Sequence, residues 1–136
     1  MRLTSMLLAD AAQVTGGKLH MIGGAFDTVN AHTFPAVHAS IAVVLVAEVG
    51  PQDRNRDLDV TVRLIDEDGN DIGVESRGKL RVGAPSALPA GAMSLVPMVS
   101  QFLNVRFPEP KGYAFVAEHD GEELGRVPFR VRRISP

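Results

Sequence analysis

The chain has 136 residues, 45% of them hydrophobic, and a formal net charge of −2. That length suits one domain burying roughly two thirds of its unfolded surface, and that charge excludes bulk attraction to nucleic acid or to an anionic membrane. The absence of cysteine excludes disulfides, thiolate metal centres and cysteine nucleophiles.

The start, Met1 to Ala12, sets one Arg before Leu3-Thr4-Ser5-Met6-Leu7-Leu8-Ala9 and mimics a secretory leader. Thr4 and Ser5 interrupt its apolar run, which is short for such a leader, so it reads as a first strand over 3–12. Leu3, Ser5, Leu7 and Ala9 share one face, with Met6 and Leu8 on the other. A turn at Thr15-Gly16-Gly17 leads to a strand at 18–22; Gly23-Gly24 permits a bend before a third at 25–30. The fourth, 38–49, breaks the usual alternation. Ile41, Val43, Leu45 and Val49 face one way, yet Val44 and Val46 face the other. Because a sandwich wets the outer face of each sheet, something is expected to cover Val44 and Val46.

Residues 57–65 and 72–82 spell a β-hairpin. Leu58, Val60, Val62 and Leu64 alternate with polar residues on one arm, and Ile72 and Val74 do so on the other. Both apolar sets fall on even numbers, so opposed residues must sum to an even number. A three-residue loop with Gly69 in the left-handed conformation satisfies this, placing Asp59 opposite Arg77 and Asp57 opposite Lys79.

The segment 83–97, Pro-, Gly- and Ala-rich, is too long and too apolar for a simple connection. Its Leu88, Met93, Leu95 and Val96 could fold over the sheet, meet another subunit or close over a ligand. Strands are expected again at 98–107, 113–118 and 124–133. The last two form a hairpin through His119-Asp120-Gly121, with a three-residue loop if Tyr113 and Phe115 are to share a face with Val127 and Phe129; Gly125 fits a bulge there. Pro128 points to an edge strand. Short strands at this spacing, with no helical period longer than two turns, predict an antiparallel β-sandwich of eight or nine strands in a single domain spanning 1–136.

Two stretches carry a resemblance. Leu8-Ala9-Asp10-Ala11-Ala12-Gln13-Val14 with Gly17-Lys18-Leu19-His20-Met21-Ile22-Gly23-Gly24 is similar to the opening of an uncharacterised family of small bacterial β-sandwich domains of unknown function. Gly112-Tyr113-Ala114-Phe115, followed by Asp120-Gly121 and Val127-Pro128-Phe129-Arg130-Val131, resembles that family's ending. The resemblance implies a shared fold and carries no activity.

Each chemical constellation meets a specific objection. Asp66-Glu67-Asp68-Gly69-Asn70-Asp71 has carboxylates at alternate positions, as a calcium loop does, but its Gly stands fourth rather than sixth and Arg77 occupies the place of the bidentate Glu. A charged hairpin tip is the simpler reading. His20, His32, His38 and His119 lack paired zinc spacing. There is no nucleophile elbow, phosphate loop or dinucleotide fingerprint. Arg77, Lys79 and Arg81 form one basic row and Arg126, Arg130, Arg132 and Arg133 another, but neither has aromatics on its face for stacking bases. Such rows more often keep edge strands apart.

The expectation is a non-catalytic binding or assembly module, associating with itself or with another protein through Val44, Val46, Leu88, Met93, Leu95 and Val96. No catalytic residue, metal, cofactor, nucleic acid or membrane is implied, and no apolar run is long enough to span a bilayer as a helix, so the cytoplasm is the expected location. The alternative is a small-ligand binder with 83–97 as its lid. An enzyme ranks third.

Overall fold

The structure, a computed structural model, describes residues 1–83, 89 and 91–135. Among them nine strands follow one another: β1 (Arg2–Thr15), β2 (Lys18–Gly24), β3 (Thr28–Ala31), β4 (Ala36–Val49), β5 (Asp57–Asp66), β6 (Asp71–Arg81), β7 (Ser94–Phe107), β8 (Gly112–His119) and β9 (Glu122–Arg133). A 3-10 turn, Pro51–Asp53, connects β4 to β5. The strands form a β-sandwich of two sheets, ordered β2-β1-β4-β7 and β3-β9-β8-β5-β6. All pairings are antiparallel except β3 with β9, which is parallel.

Alternation explains what fills the space between the sheets. Leu8, Ile41, Val43 and Leu45 from the first sheet meet Val60, Val62, Leu64, Phe115 and Phe129 from the second. Aromatic rings concentrate the apolar area at one end: Phe102 stacks on Phe115 at 5.1 Å, Phe115 on Phe129 at 5.6 Å, and Phe107 meets Tyr113 edge-on at 5.0 Å. The Tyr113 hydroxyl donates to the Glu109 carbonyl at 2.7 Å, so the polar end of a buried ring is satisfied. A bulge near Thr4 turns Leu3 to the same side as Met6 and Leu8, and all three pack on this core.

The β5–β6 hairpin closes as expected at its tip. Gly69 has φ +84°, a conformation open to glycine at little cost, and Asp66 pairs with Asn70 around a three-residue loop. Beyond the tip the register differs from the expectation. Ile65 still opposes Asp71, but Arg63 opposes Glu75, because a bulge with Gly73 at φ +86° inserts two residues on β6. Asp57 therefore faces Arg81, Asp59 faces Lys79, and Arg77 lies opposite Thr61. A shift of two keeps the parity, so the apolar faces stay inward.

The β8–β9 hairpin is corrected in a similar way. Its loop has two residues, Asp120 (φ +50°) and Gly121 (φ +77°), with His119 opposite Glu122. The register then steps by one at Ala117–Glu118, across from Leu124–Gly125, which restores Tyr113 to Phe129 and Phe115 to Val127. Pro128 sits in an interior strand rather than an edge one. Its missing N–H costs nothing, because β3 pairs with β9 only from Arg130 onward.

The first sheet curls over its own outer face. Ala42 and Val44 of β4 are covered by Ala9 and Ala12 of β1, Leu19 of β2 and Val99 of β7. Polar bonds fix the curl: Ser40 donates to the Asp10 carbonyl at 3.0 Å, and the Gln101 amide donates to Ser40 at 2.5 Å. Val44 is thus buried by its own sheet, and among the described residues of 83–97 none belongs to that cover.

Candidate binding surfaces

The sequence-derived contact residues separate in the structure. Val44 is 1% exposed in the curl and has no surface to offer a partner. Val46 is half-buried and opposes Pro97, so it lies on the outer face. Leu95 lies on that face too, opposite Glu48, and is 68% exposed. Val96 opposes the buried Ala47 and turns to the inner side. Met93, 49% exposed, lies against Gly50, where an added Cβ would come within 3.0 Å of its sulfur. Leu88 lies outside the described residues.

The end of the 83–97 segment is therefore not a free flap. Ser94 to Pro97 belong to β7 and pair with β4. Just before them, the Arg54 guanidinium donates to the Ala92 carbonyl at 2.6 Å and to Ser94 at 2.8 Å, tying the segment to the 3-10 turn. Along β7, the outer face carries Leu95, Pro97, Val99, Gln101 and Leu103, and Leu103 is again 68% exposed. Nine residues of strand span roughly 27 Å. The result is a long apolar stripe interrupted by one amide.

A second feature lies where the sandwich is left open. β6 and β7 are edge strands of opposite sheets, and between them runs a cleft of about 430 Å³. Ser76, Gly78 and Leu80 oppose the core residues Val62, Val60 and Leu58, so they point inward; Met98 and Ser100 do so from β7. Two serines and a glycine cannot fill the gap that leucines would. Leu45 and Val60 consequently form an apolar floor, and Ser76 donates to Ser100 across the cleft at 3.0 Å. Arg77 and Lys79 line the same opening. Among the described residues of 83–97 none does, and the rest of the expected lid, Leu88 included, lies outside the described residues.

Among the described residues two carboxylates are buried, and both are held ionised. Asp66 accepts the backbone N–H groups of Asn70 (2.9 Å) and Asp68 (3.0 Å), and the Lys111 ammonium at 3.1 Å. The Asn70 N–H above all, assisted by Lys111, lowers its pKa to about 2. Asp53 accepts from the amino group of Met1 at 2.6 Å, and that hydrogen bond draws its pKa down. Among the described residues no group of three or more His, Asp or Glu is placed to hold a metal ion. Asp66, which opens the hairpin tip, is thus engaged by the turn's own N–H groups and by Lys111.

The basic rows are largely engaged. Arg81 pairs with Asp57 at 3.2 Å, Arg77 with Glu75 at 3.3 Å and Arg126 with Glu123 at 2.5 Å. Arg133 stacks over the Phe34 ring at 5.0 Å. Arg63 binds Glu118 on the outer face of the second sheet, in register with buried Val116, and so covers apolar surface with its stem. No helix among the described residues is long and apolar enough to cross a membrane.

Comparisons with known proteins give a family and no activity. Two solved structures are similar at low identity. One is a beta-glucuronidase from glycoside hydrolase family 2, 17% identical over 72% of this chain and 11% of that chain, with a TM-score of 0.36. The other is the Pseudomonas fluorescens alkylpurine DNA glycosylase AlkC bound to DNA containing an abasic site analog, 16% identical over 93% of this chain and 30% of that one, TM-score 0.39. The chain thus spans less than a third of either protein, and neither likeness carries a functional argument. No curated protein matches the sequence. A family model does match, over residues 4–132, and the chain belongs to that family of unknown function, DUF6941.

Proposed function

We propose that the chain is a non-catalytic binding and assembly module that associates, with a second copy or with another protein, through the outer face of β4 and β7. The observation that carries this reading is the stripe from Leu95 to Leu103, two leucines each 68% exposed flanking half-buried Pro97 and Val99. Isolated exposed leucines need no explanation, but two in line on one strand face, with half-buried apolar residues between them, favour a contact. Both buried carboxylates have lowered pKa values, the opposite of what a general acid or base working near neutrality requires. That supports a role without catalysis. Cysteine-free composition is compatible with the reducing cytoplasm, where we place the protein.

The test is native mass by light scattering coupled to size exclusion at ~100 µM, where contacts of micromolar affinity are largely occupied. An oligomer that Leu95→Lys converts to folded monomer supports self-association. A strictly monomeric wild type sinks that form of the reading.

A further inference from the structure

We propose that the cleft between β6 and β7 is a ligand site for a small amphipathic carboxylate, with an aliphatic body inside and its anionic head at the β6 rim. The site adjoins the association face, since Val99 and Gln101 of β7 border both, but the proposal does not depend on association.

Size comes first. A volume of about 430 Å³ falls within the roughly 300–1,000 Å³ of small-molecule pockets. Chemistry narrows the choice. The floor is Leu45 and Val60, with Met98 and Leu80 at the sides, a surface that favours an alkyl chain. Met98, unbranched and polarizable, adapts to such a body. Arg77 and Lys79 also border the cleft, and among the described residues no carboxylate lines it. Alternating with the inward residues on edge strand β6, the two send their long side chains from its outer face beside the rim. Their acidic neighbours hold them weakly. Glu75 meets Arg77 at 3.3 Å with both side chains exposed, and Asp59, in register with Lys79, makes no ion pair among the described residues. A ligand carboxylate can therefore displace them at small cost. Ser76 donates to Ser100, so the Ser100 hydroxyl retains its own proton to give to an anionic oxygen.

Gly78 makes the cleft possible. It opposes Val60, and a Cβ built on it would meet nothing within 4 Å. Its φ is not in the left-handed region, so the backbone does not require glycine. What the position supplies is open space above the core.

That separation of space from backbone gives the experiment. Octanoate is titrated into the ¹⁵N-labelled protein and followed by amide chemical shifts, with octanol as the uncharged probe of equal chain length. Saturable shifts at Gly78, Met98 and Ser100 are expected, with octanol at least tenfold weaker. Gly78→Val fills the space with a residue that suits a strand, and it should weaken octanoate at least tenfold with an unchanged fold. Arg77→Ala with Lys79→Ala, on the exposed side of β6, should weaken octanoate several-fold and leave octanol unaffected. The proposal is overturned by an absence of saturable shifts at millimolar octanoate, by shifts confined to other strands, by octanol binding as tightly as octanoate, or by Gly78→Val and the double variant both binding like wild type. Native mass, measured in parallel, reports on association independently.

Discussion

Asp57 meets Arg81 across the β5–β6 hairpin, carboxylate to guanidinium at 3.2 Å. Counting back from the three-residue loop would have put Lys79 there. The bulge at Gly73 makes the difference, and a double-mutant cycle on Asp57 and Arg81 should show a coupling of about 0.5 kcal/mol that fades with salt. Cycles on Asp57 with Lys79 and on Asp59 with Arg77 should give none. Equal coupling in all three would remove the bulge.

The same hairpin shows what the sequence makes legible. Parity and turn type follow from Leu58 to Val74 and from Gly69, because a period of two and a glycine at positive φ are local properties. The bulges at Gly73 and at Leu124–Gly125 depend on twist between strands, which leaves little local trace beyond a glycine. Covering of Val44 was equally hidden. It depends on Leu19 and Ala12 curling back over β4, a tertiary event that the two-faced apolar pattern demands but does not assign. The cleft had a legible signal that was missed: Ser76 and Gly78 stand in the even-numbered apolar series of β6, where larger residues would have closed the sandwich.

Gly69 and Gly78 should respond in opposite ways to the same replacement. Gly69 lies at φ +84° in the loop, so Gly69→Val is expected to destabilise by well over ~1 kcal/mol, whereas Gly78→Val is neutral or stabilising. Urea titrations of both variants decide the matter. A neutral Gly69→Val would contradict the three-residue turn.

Acid stability should depend on Asp66. Its pKa is about 2 in the folded chain against 3.8 ordinarily, a depressed value, so its contribution is present above pH ~4 and is lost as pH falls toward 2. Asp66→Asn should lower the melting temperature at pH 7 and flatten its fall between pH 4 and 2. A parallel slope in wild type and variant would show that the Asn70 N–H and Lys111 do not hold the carboxylate in its ionised form.

The final prediction sets Val44 against Leu95, two residues on one sheet face with opposite exposure. Val44 is enclosed by Ala9, Ala12, Leu19 and Val99, so Val44→Lys places an ammonium among alkyl groups. The sheet must then uncurl or the chain unfold, and the melting temperature should drop sharply at any protein concentration. Leu95→Lys places the same charge on a side chain already 68% exposed, and the isolated chain should melt as wild type does in dilute solution. Under the association reading, its only effect is on native mass and on the concentration dependence of the melt, because a self-contact stabilises by mass action. Thermal melts of wild type and both variants at two concentrations a hundredfold apart separate these effects. A Val44→Lys variant as stable as wild type would refute the curl, and a wild-type melt independent of concentration would refute self-association.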